Sequence, residues 1–268
     1  MPAAPDQRPA PSNPAPAPTC APMDHPPGIV QELELTFFMP CYNEERHIVP
    51  SLETAVAAAR EIGRSYEVVV IDDASTDRTV ERIRAYMAEH PELPIILVCQ
   101  PTNKGLAYNF VEGAFHGRGK YYRIVHGDNP EPKETMVDVL RHIGEADMIL
   151  TYPIRVENRT ALRKFFSKTY VRLVNVITGF TLRYWNGTSV LLRYDVMRWH
   201  SYTTGFGFLA DLHTNLLFEG RTFVEVGGVY QEQAGRKSKA FSWKNWLSVT
   251  YTLISMFLRR VGRKIIKR

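Results

Sequence analysis

Residues 67–71 read Glu-Val-Val-Val-Ile and run directly into Asp72-Asp73-Ala74-Ser75-Thr76-Asp77-Arg78-Thr79. Apolar residues in succession, without polar alternation, describe a strand covered on both faces, as central parallel strands are. The acidic and hydroxyl-rich run behind it is turn chemistry, and Ser75 or Asp77 is placed to cap a helix through Met87. The same grammar repeats on both sides. A strand at 35–39 precedes a helix at 50–62, and a strand at 95–99 precedes a helix at 105–116. A strand at 121–125 precedes a helix at 134–143, and 148–150 makes a fifth strand. Strands alternating with helices of this length predict an α/β fold with a mostly parallel, Rossmann-like central sheet flanked by helices.

In such sheets ligands sit at the carboxyl ends of the strands. The residues found there are Pro40-Cys41-Tyr42-Asn43-Glu44-Glu45, Asp72 to Thr79, Asn103-Lys104-Gly105 and His126-Gly127-Asp128-Asn129. Carboxylates there can accept N–H and O–H donors from a ligand, and ionised acceptors make the stronger hydrogen bonds. Glycine at position 105 lets backbone approach a ligand closely. The same residues also serve as turns and helix caps, and for Asp77 and Lys104 the two readings stand side by side.

The segments MPCYNEE (39–45), VVIDDASTDRT (69–79) and NKGLAYNFVEGAFHGRGKYYRIVHGD (103–128), in this order and spacing, resemble glycosyltransferase family 2 with its GT-A fold. Within it the chain is most similar to the polyprenyl-phosphate sugar transferases of the dolichyl-phosphate mannose synthase type, over roughly residues 34–240. The resemblance implies an inverting transfer of one sugar from a UDP- or GDP-linked donor to a polyprenyl phosphate. It places Pro40, Tyr42, Asn43, Glu44, Asp72, Asp73, Asp77, Lys104, Gly105 and Asp128 around the donor, with Glu44 and Asp73 on base and ribose. It also implies Mg²⁺ or Mn²⁺ at Asp128, a hard cation on a hard oxygen ligand that stabilises the leaving diphosphate. Family members usually carry Asp-x-Asp here. This chain has His126 in the first place, either as a second ligand, better suited to Mn²⁺ than Mg²⁺, or as a residue filling the strand end.

On the acceptor side the resemblance implies a phosphate grip by Arg155, Arg163, Arg236, Ser238 and Lys239. Gln233 and Arg236 stand where Arg and Gly are usual, so the charge is kept but moved. A lipid phosphate is already ionised and needs cations rather than a strong base. An alcohol acceptor needs a positioned carboxylate, and Asp211 is the candidate in the second half. The Gln-x-x-Arg-Trp element of processive polysaccharide synthases is absent from the sequence. The alternatives are therefore a family 2 enzyme with a sugar or alcohol acceptor and, in another class, a non-catalytic lipid- or nucleic-acid-binding module on the same fold.

The chain has 268 residues, 44% hydrophobic and 23% charged, which is enough for one α/β domain with an ordinary core. Residues 1–32 are expected to form a disordered Pro/Ala-rich leader, since 1–28 hold ten of the 18 prolines and no apolar signal-like run. The transferase domain is expected over 33–240 and a basic amphipathic tail over 241–268. From Gln233 onward there are ten basic residues and no acid, so the net charge of +5 belongs to this end. Residues 161–177 likewise interleave Arg163, Lys164, Lys168 and Arg172 with Phe165, Phe166, Tyr170 and Val171. Basic heads on apolar helices suit an anionic membrane surface rather than nucleic acid. The uncharged run 245–258 falls short of the ~20 apolar residues a span requires. Trp243 and Trp246 before it and Arg259, Arg260, Arg263, Lys264, Lys267 and Arg268 after it predict a helix lying in the headgroup layer, or one that pairs with a second copy. The expected location is cytoplasmic, peripheral on the inner membrane face, with Cys20, Cys41 and Cys99 reduced.

Overall fold

A computed structural model describes residues 33–128, 131–157, 160–199, 205, 207–231 and 243–266. The leader and the element with Gln233, Arg236, Ser238 and Lys239 lie outside the described residues. The first half alternates as its pattern predicts: β1 (Leu35–Cys41), α1 (Ile48–Ile62), β2 (Tyr66–Asp72), α2 (Thr79–Glu89), β3 (Ile95–Cys99), α3 (Leu106–His116), β4 (Tyr121–Ile124) and α4 (Lys133–Arg141). Then come β5 (Met148–Glu157), α5 (Ala161–Thr178), β6 (Val190–Leu192), α6 (Arg193–Met197), α7 (Phe208–Phe218), β7 (Phe223–Gln231) and α8 (Trp243–Ile266).

The seven strands form one sheet in the order β3-β2-β1-β4-β6-β5-β7. β6 runs antiparallel to both its neighbours and every other pairing is parallel. Val68, Val69, Val70 and Ile71 are fully buried, as a strand without alternation demands. Pleating sends Val68 and Val70 to a core with α1 and α4, and Val69 and Ile71 to one with α3 and α7. α1 shows why these helices form: Ile48, Leu52, Ala55, Val56 and Ala59 recur at helical spacing on its buried face. Gly63, at φ 66°, ends it in the left-handed conformation.

Two strands are absent from the sequence reading. β6 is only three residues long, and β7 (FVEVGGVYQ) has two glycines that break its apolar run. β5 extends to Glu157, well beyond the expected 148–150, because β7 pairs along its whole length, with a register shift between Pro153 and Arg155. Registered side by side, Cys41, Asp72 and Cys99 close the carboxyl ends of β1, β2 and β3. Cys41 and Cys99 are not joined in a disulfide.

Candidate active site

The turns after β1 and β2 interlock. Asn43 and Ala74 both take left-handed backbone, at φ 57° and 64°, a cost that surrounding bonds must offset. The Asn43 side-chain oxygen accepts from Thr76 N at 2.8 Å, and Asn43 N donates to Ser75 Oγ at 2.9 Å. Glu44 N donates to Thr79 Oγ1 at 2.8 Å, and Glu45 N to Asp77 Oδ2 at 3.2 Å. Asp77 Oδ1 accepts from Thr79 N at 2.9 Å, so Asp77 satisfies a first-turn amide of α2, whose N-cap is Arg78. Burial raises the Asp77 carboxyl, but its hydrogen bonds to Thr79 and to the Glu45 amide outweigh that and hold it below the usual carboxylate range.

Asp73 reaches across to the third turn. Its two carboxylate oxygens accept from Lys104 N at 2.7 Å and Gly105 N at 3.0 Å, and Asn103 Nδ2 donates to the Asp73 carbonyl at 3.2 Å. The carboxylate therefore fixes the backbone of Lys104-Gly105, with lone pairs left for a ligand. Asp72 Oδ2 accepts from Ser75 N at 2.9 Å. Burial, then the neighbouring Asp72 charge, pushes the Cys41 thiol well up, so Cys41 is a packed thiol rather than a thiolate. Tyr42 stays partly exposed at the mouth.

The fourth turn lies against the first. A Cβ on Gly127 would meet the Pro40 carbonyl oxygen at 3.0 Å and Cys41 Cβ at 3.3 Å, so glycine allows this close approach. Ser51 Oγ donates to the Gly127 carbonyl at 3.0 Å, which ties the turn to α1. His126 and Asp128, on either side of Gly127, are half-buried. Among the described residues no group of three His, Cys, Asp or Glu side chains gathers to hold a metal by protein ligands alone. The donor set fits a cation completed by diphosphate oxygens, which one or two protein ligands suffice to hold.

The second half separates the remaining candidates. Arg155 is exposed beside the irregularity in β5, and Arg163 lies in the first turn of α5, where its amide is capped by Thr160 Oγ1. Asp211, in α7, is fully buried, and Arg259 Nη1 of α8 lies 2.8 Å from its Oδ1. Burial raises the Asp211 carboxyl, and Arg259 partly brings it back. The Tyr170 hydroxyl, Asn186 Oδ1 and Trp199 Nε1 are other buried polar atoms without a hydrogen bond of regular geometry; Tyr170 and Trp199 are close enough to Asp211 to interact with it.

α8 is docked on the body. Thr252 and Met256 are fully buried, and Arg260 Nη1 donates to the last carbonyls of α5, Val176 at 2.6 Å and Ile177 at 2.9 Å. Arg259 and Arg260 thus hold the protein together and are not free to meet a surface, a correction to the reading of the tail as six membrane-facing charges. The outer side of α8 exposes Tyr251, Ile254, Phe257 and Leu258, and α5 exposes Leu162, Phe165, Phe166, Leu173 and Val176.

Residues 36–199 match the family described as Glycosyl transferase family 2, which is well over half of the chain. The chain belongs to this family. It is 30% identical over 161 residues to a dolichyl-phosphate beta-glucosyltransferase of Trichomonas vaginalis, covering 54% of this chain and 47% of that one. It is 27% identical over 172 residues to a dodecaprenyl-phosphate galacturonate synthase of Rhizobium johnstonii, covering 63% and 50%. The chain spans about half the length of these curated relatives. Among solved structures, a mannosyltransferase from Pyrobaculum calidifontis in complex with GDP-Man and Mn²⁺ superposes with a TM-score of 0.60 at 20% identity, over 85% of this chain and 64% of that one. Glucosyl-3-phosphoglycerate synthase from Mycobacterium tuberculosis, in complex with Mn²⁺ and UDP, gives 0.61 at 17%, over 89% and 84%. The fold of this family 2 chain is GT-A.

Sequence reasoning found the four turns at the strand ends and missed the ion pair packed beside the last of them. Arg123, inside the otherwise apolar strand β4, and Glu131 form a fully buried ion pair at 2.6 Å. A lone Arg in the run Tyr-Tyr-Arg-Ile-Val was the available signal. The partner in α8 that faces Asp211 had none, because 48 residues separate the two.

Proposed function

We propose that the protein transfers one sugar from a nucleoside-diphosphate sugar to a polyprenyl phosphate at a membrane surface, with inversion at the anomeric carbon. The observation that carries this reading is the apolar exposure of α5, which begins just beyond Arg155 and turns five large apolar side chains to solvent. A soluble acceptor gives no reason for such a surface, whereas a lipid-borne one brings its own apolar phase. No described helix is long and apolar enough to cross a membrane, and basic Lys164, Lys168 and Arg172 accompany the stripe. The named activities of the relatives support the same acceptor class.

The donor would lie across the four turns, with base and ribose toward Glu44 and the Asp73–Lys104 segment and the diphosphate toward Asp128. Asp128, with His126 as a candidate second ligand, would hold a divalent cation, which would supply positive charge to the leaving diphosphate; Mn²⁺ is seen with fold relatives. An ionised phosphate oxygen of the acceptor attacks C1 of the sugar. The C1–O bond to the diphosphate breaks, and the nucleoside diphosphate leaves with the bonding pair. No proton has to be removed from the nucleophile. Arg155 and Arg163, with Arg236, Ser238 and Lys239, are assigned to the acceptor phosphate. Asp211, buried against Arg259, is assigned to the frame of the acceptor side rather than to a base. The test is transfer from UDP- and GDP-sugars to a short polyprenyl phosphate against a sugar or alcohol acceptor; glycosylation of the alcohol alone overturns the assignment.

A further inference from the structure

Arg123 and Glu131 flank the His126-Gly127-Asp128 turn, the one ahead of it in β4 and the other behind it at the entrance to α4. Their side chains meet at 2.6 Å with 0% and 4% exposure. Burial raises the Glu131 carboxyl, and Arg123 first and His126 next favour its charged form, so His126 lies close to the pair. Arg123 Nε and Nη1 are buried and have no acceptor among the described residues; the Tyr230 hydroxyl is close enough to the pair to interact with it, and lies near Thr151 and Thr188. A buried pair with unsatisfied donors gives little net stability, because desolvation of both charges offsets their attraction. Its position makes a different contribution, closing a short chain segment across the turn that presents Asp128.

We propose that the Arg123–Glu131 pair is a brace that fixes the Asp128 turn for cation and diphosphate binding, which makes both of them positioning residues for transfer. The inference rests on the reading of Asp128 as the cation ligand. Gly127 is already tied to α1 by Ser51 Oγ and packs closely against the Pro40 carbonyl, so the pair adds a second anchor to this turn. Partners that orient a ligating carboxylate change metal affinity or activity by roughly 10–100-fold when removed.

The test compares wild type with Arg123→Met, Glu131→Gln, Arg123→Met/Glu131→Met and Asp128→Asn. Three quantities are measured: the unfolding midpoint, amide exchange of residues 124–128 in the metal-free protein, and Mn²⁺ affinity in the presence of UDP or GDP, read as free Mn²⁺ by paramagnetic resonance. The single variants are expected to lose stability, exchange faster at these amides and bind Mn²⁺ about tenfold more weakly. The apolar double variant is expected to regain stability while exchange and Mn²⁺ affinity stay impaired. Recovery of all three in the double variant overturns the brace and leaves a pair that merely fills space. If the double variant does not fold, Glu131→Gln, which keeps the volume, decides: Mn²⁺ affinity and exchange unchanged from wild type overturn the proposal. Asp128→Asn keeps the two readings apart. Unchanged Mn²⁺ affinity there removes the underlying assignment and the brace's function with it, while a loss there with wild-type brace variants overturns the brace alone.

Discussion

Arg259 reaches from α8 to within 2.8 Å of the Asp211 carboxylate in α7, and the same guanidinium nitrogen donates to Asn215 Oδ1 at 2.9 Å. Asp211 is fully buried and Arg259 only a quarter exposed, and among the described residues Arg259 is the cation that pairs with this carboxylate. Arg259→Ala is expected to cost about 3 kcal/mol at neutral pH, because it leaves a buried charge uncompensated. A carboxyl raised on folding binds its proton more tightly when folded, so protonation favours the folded state. The deficit should therefore shrink as pH falls. Asp211→Asn in the same background should restore most of the stability. Urea unfolding at neutral and acid pH checks both.

His213 gives the opposite pH slope. Its Nε2 lies 2.8 Å from Ser189 Oγ and its Nδ1 3.1 Å from the Trp185 carbonyl, and burial lowers its pKa from 6.5 to about 4. The unfolded chain takes up this proton first on acidification. The stability contribution is complete above pH 6.5 and is lost as pH falls toward 4, amounting to about 3 kcal/mol in all. His213→Gln should flatten this part of the stability–pH curve, measured by denaturant midpoints between pH 7 and pH 4.

Asp73→Ala removes both carboxylate bonds to Lys104 N and Gly105 N. Two charge-assisted bonds of this kind are worth about 1.5–3 kcal/mol each, shared between the loop and the donor it shapes. Nucleotide affinity is expected to fall at least tenfold in calorimetric titration with UDP or GDP, with acceptor affinity unchanged. Asp128→Ala should instead leave the metal-free fold intact and reduce turnover at least a hundredfold.

The membrane contact is tested by point substitution, since removing 243–268 would also take Thr252, Met256, Arg259 and Arg260 out of the body. Phe165→Ser and Phe257→Ser remove apolar surface that is already exposed, so the unfolding midpoint should barely move. Each should weaken binding to anionic vesicles by about tenfold, as expected for losing 1–2 kcal/mol of apolar contact. Sedimentation with vesicles measures this, and the wild type should release partly at high salt.

The first half of the chain was legible because its information is local. Val68 to Ile71 mark a buried strand by composition, and Asn43, Asp72, Asp73 and Asp77 sit within a few residues of a strand end. What escaped was set by distance along the chain or by brevity. β6 is too short to show a period, β5 is lengthened by a partner some 75 residues later, and Arg259 meets Asp211 only because α8 folds back. The tail's charges were read as one surface, yet two of them are spent on α7 and on the end of α5. A charge count cannot separate a guanidinium facing lipid from one capping a helix.

The acceptor is tested by transfer of labelled sugar from a panel of UDP- and GDP-sugars, with Mn²⁺ or Mg²⁺, into a short polyprenyl phosphate. The predicted result is one sugar per lipid phosphate from at least one donor, with inverted anomeric configuration, and no product from Asp128→Ala. Absence of lipid product with every donor, alongside glycosylation of a sugar or alcohol by the same preparation, would show that the acceptor is not a polyprenyl phosphate.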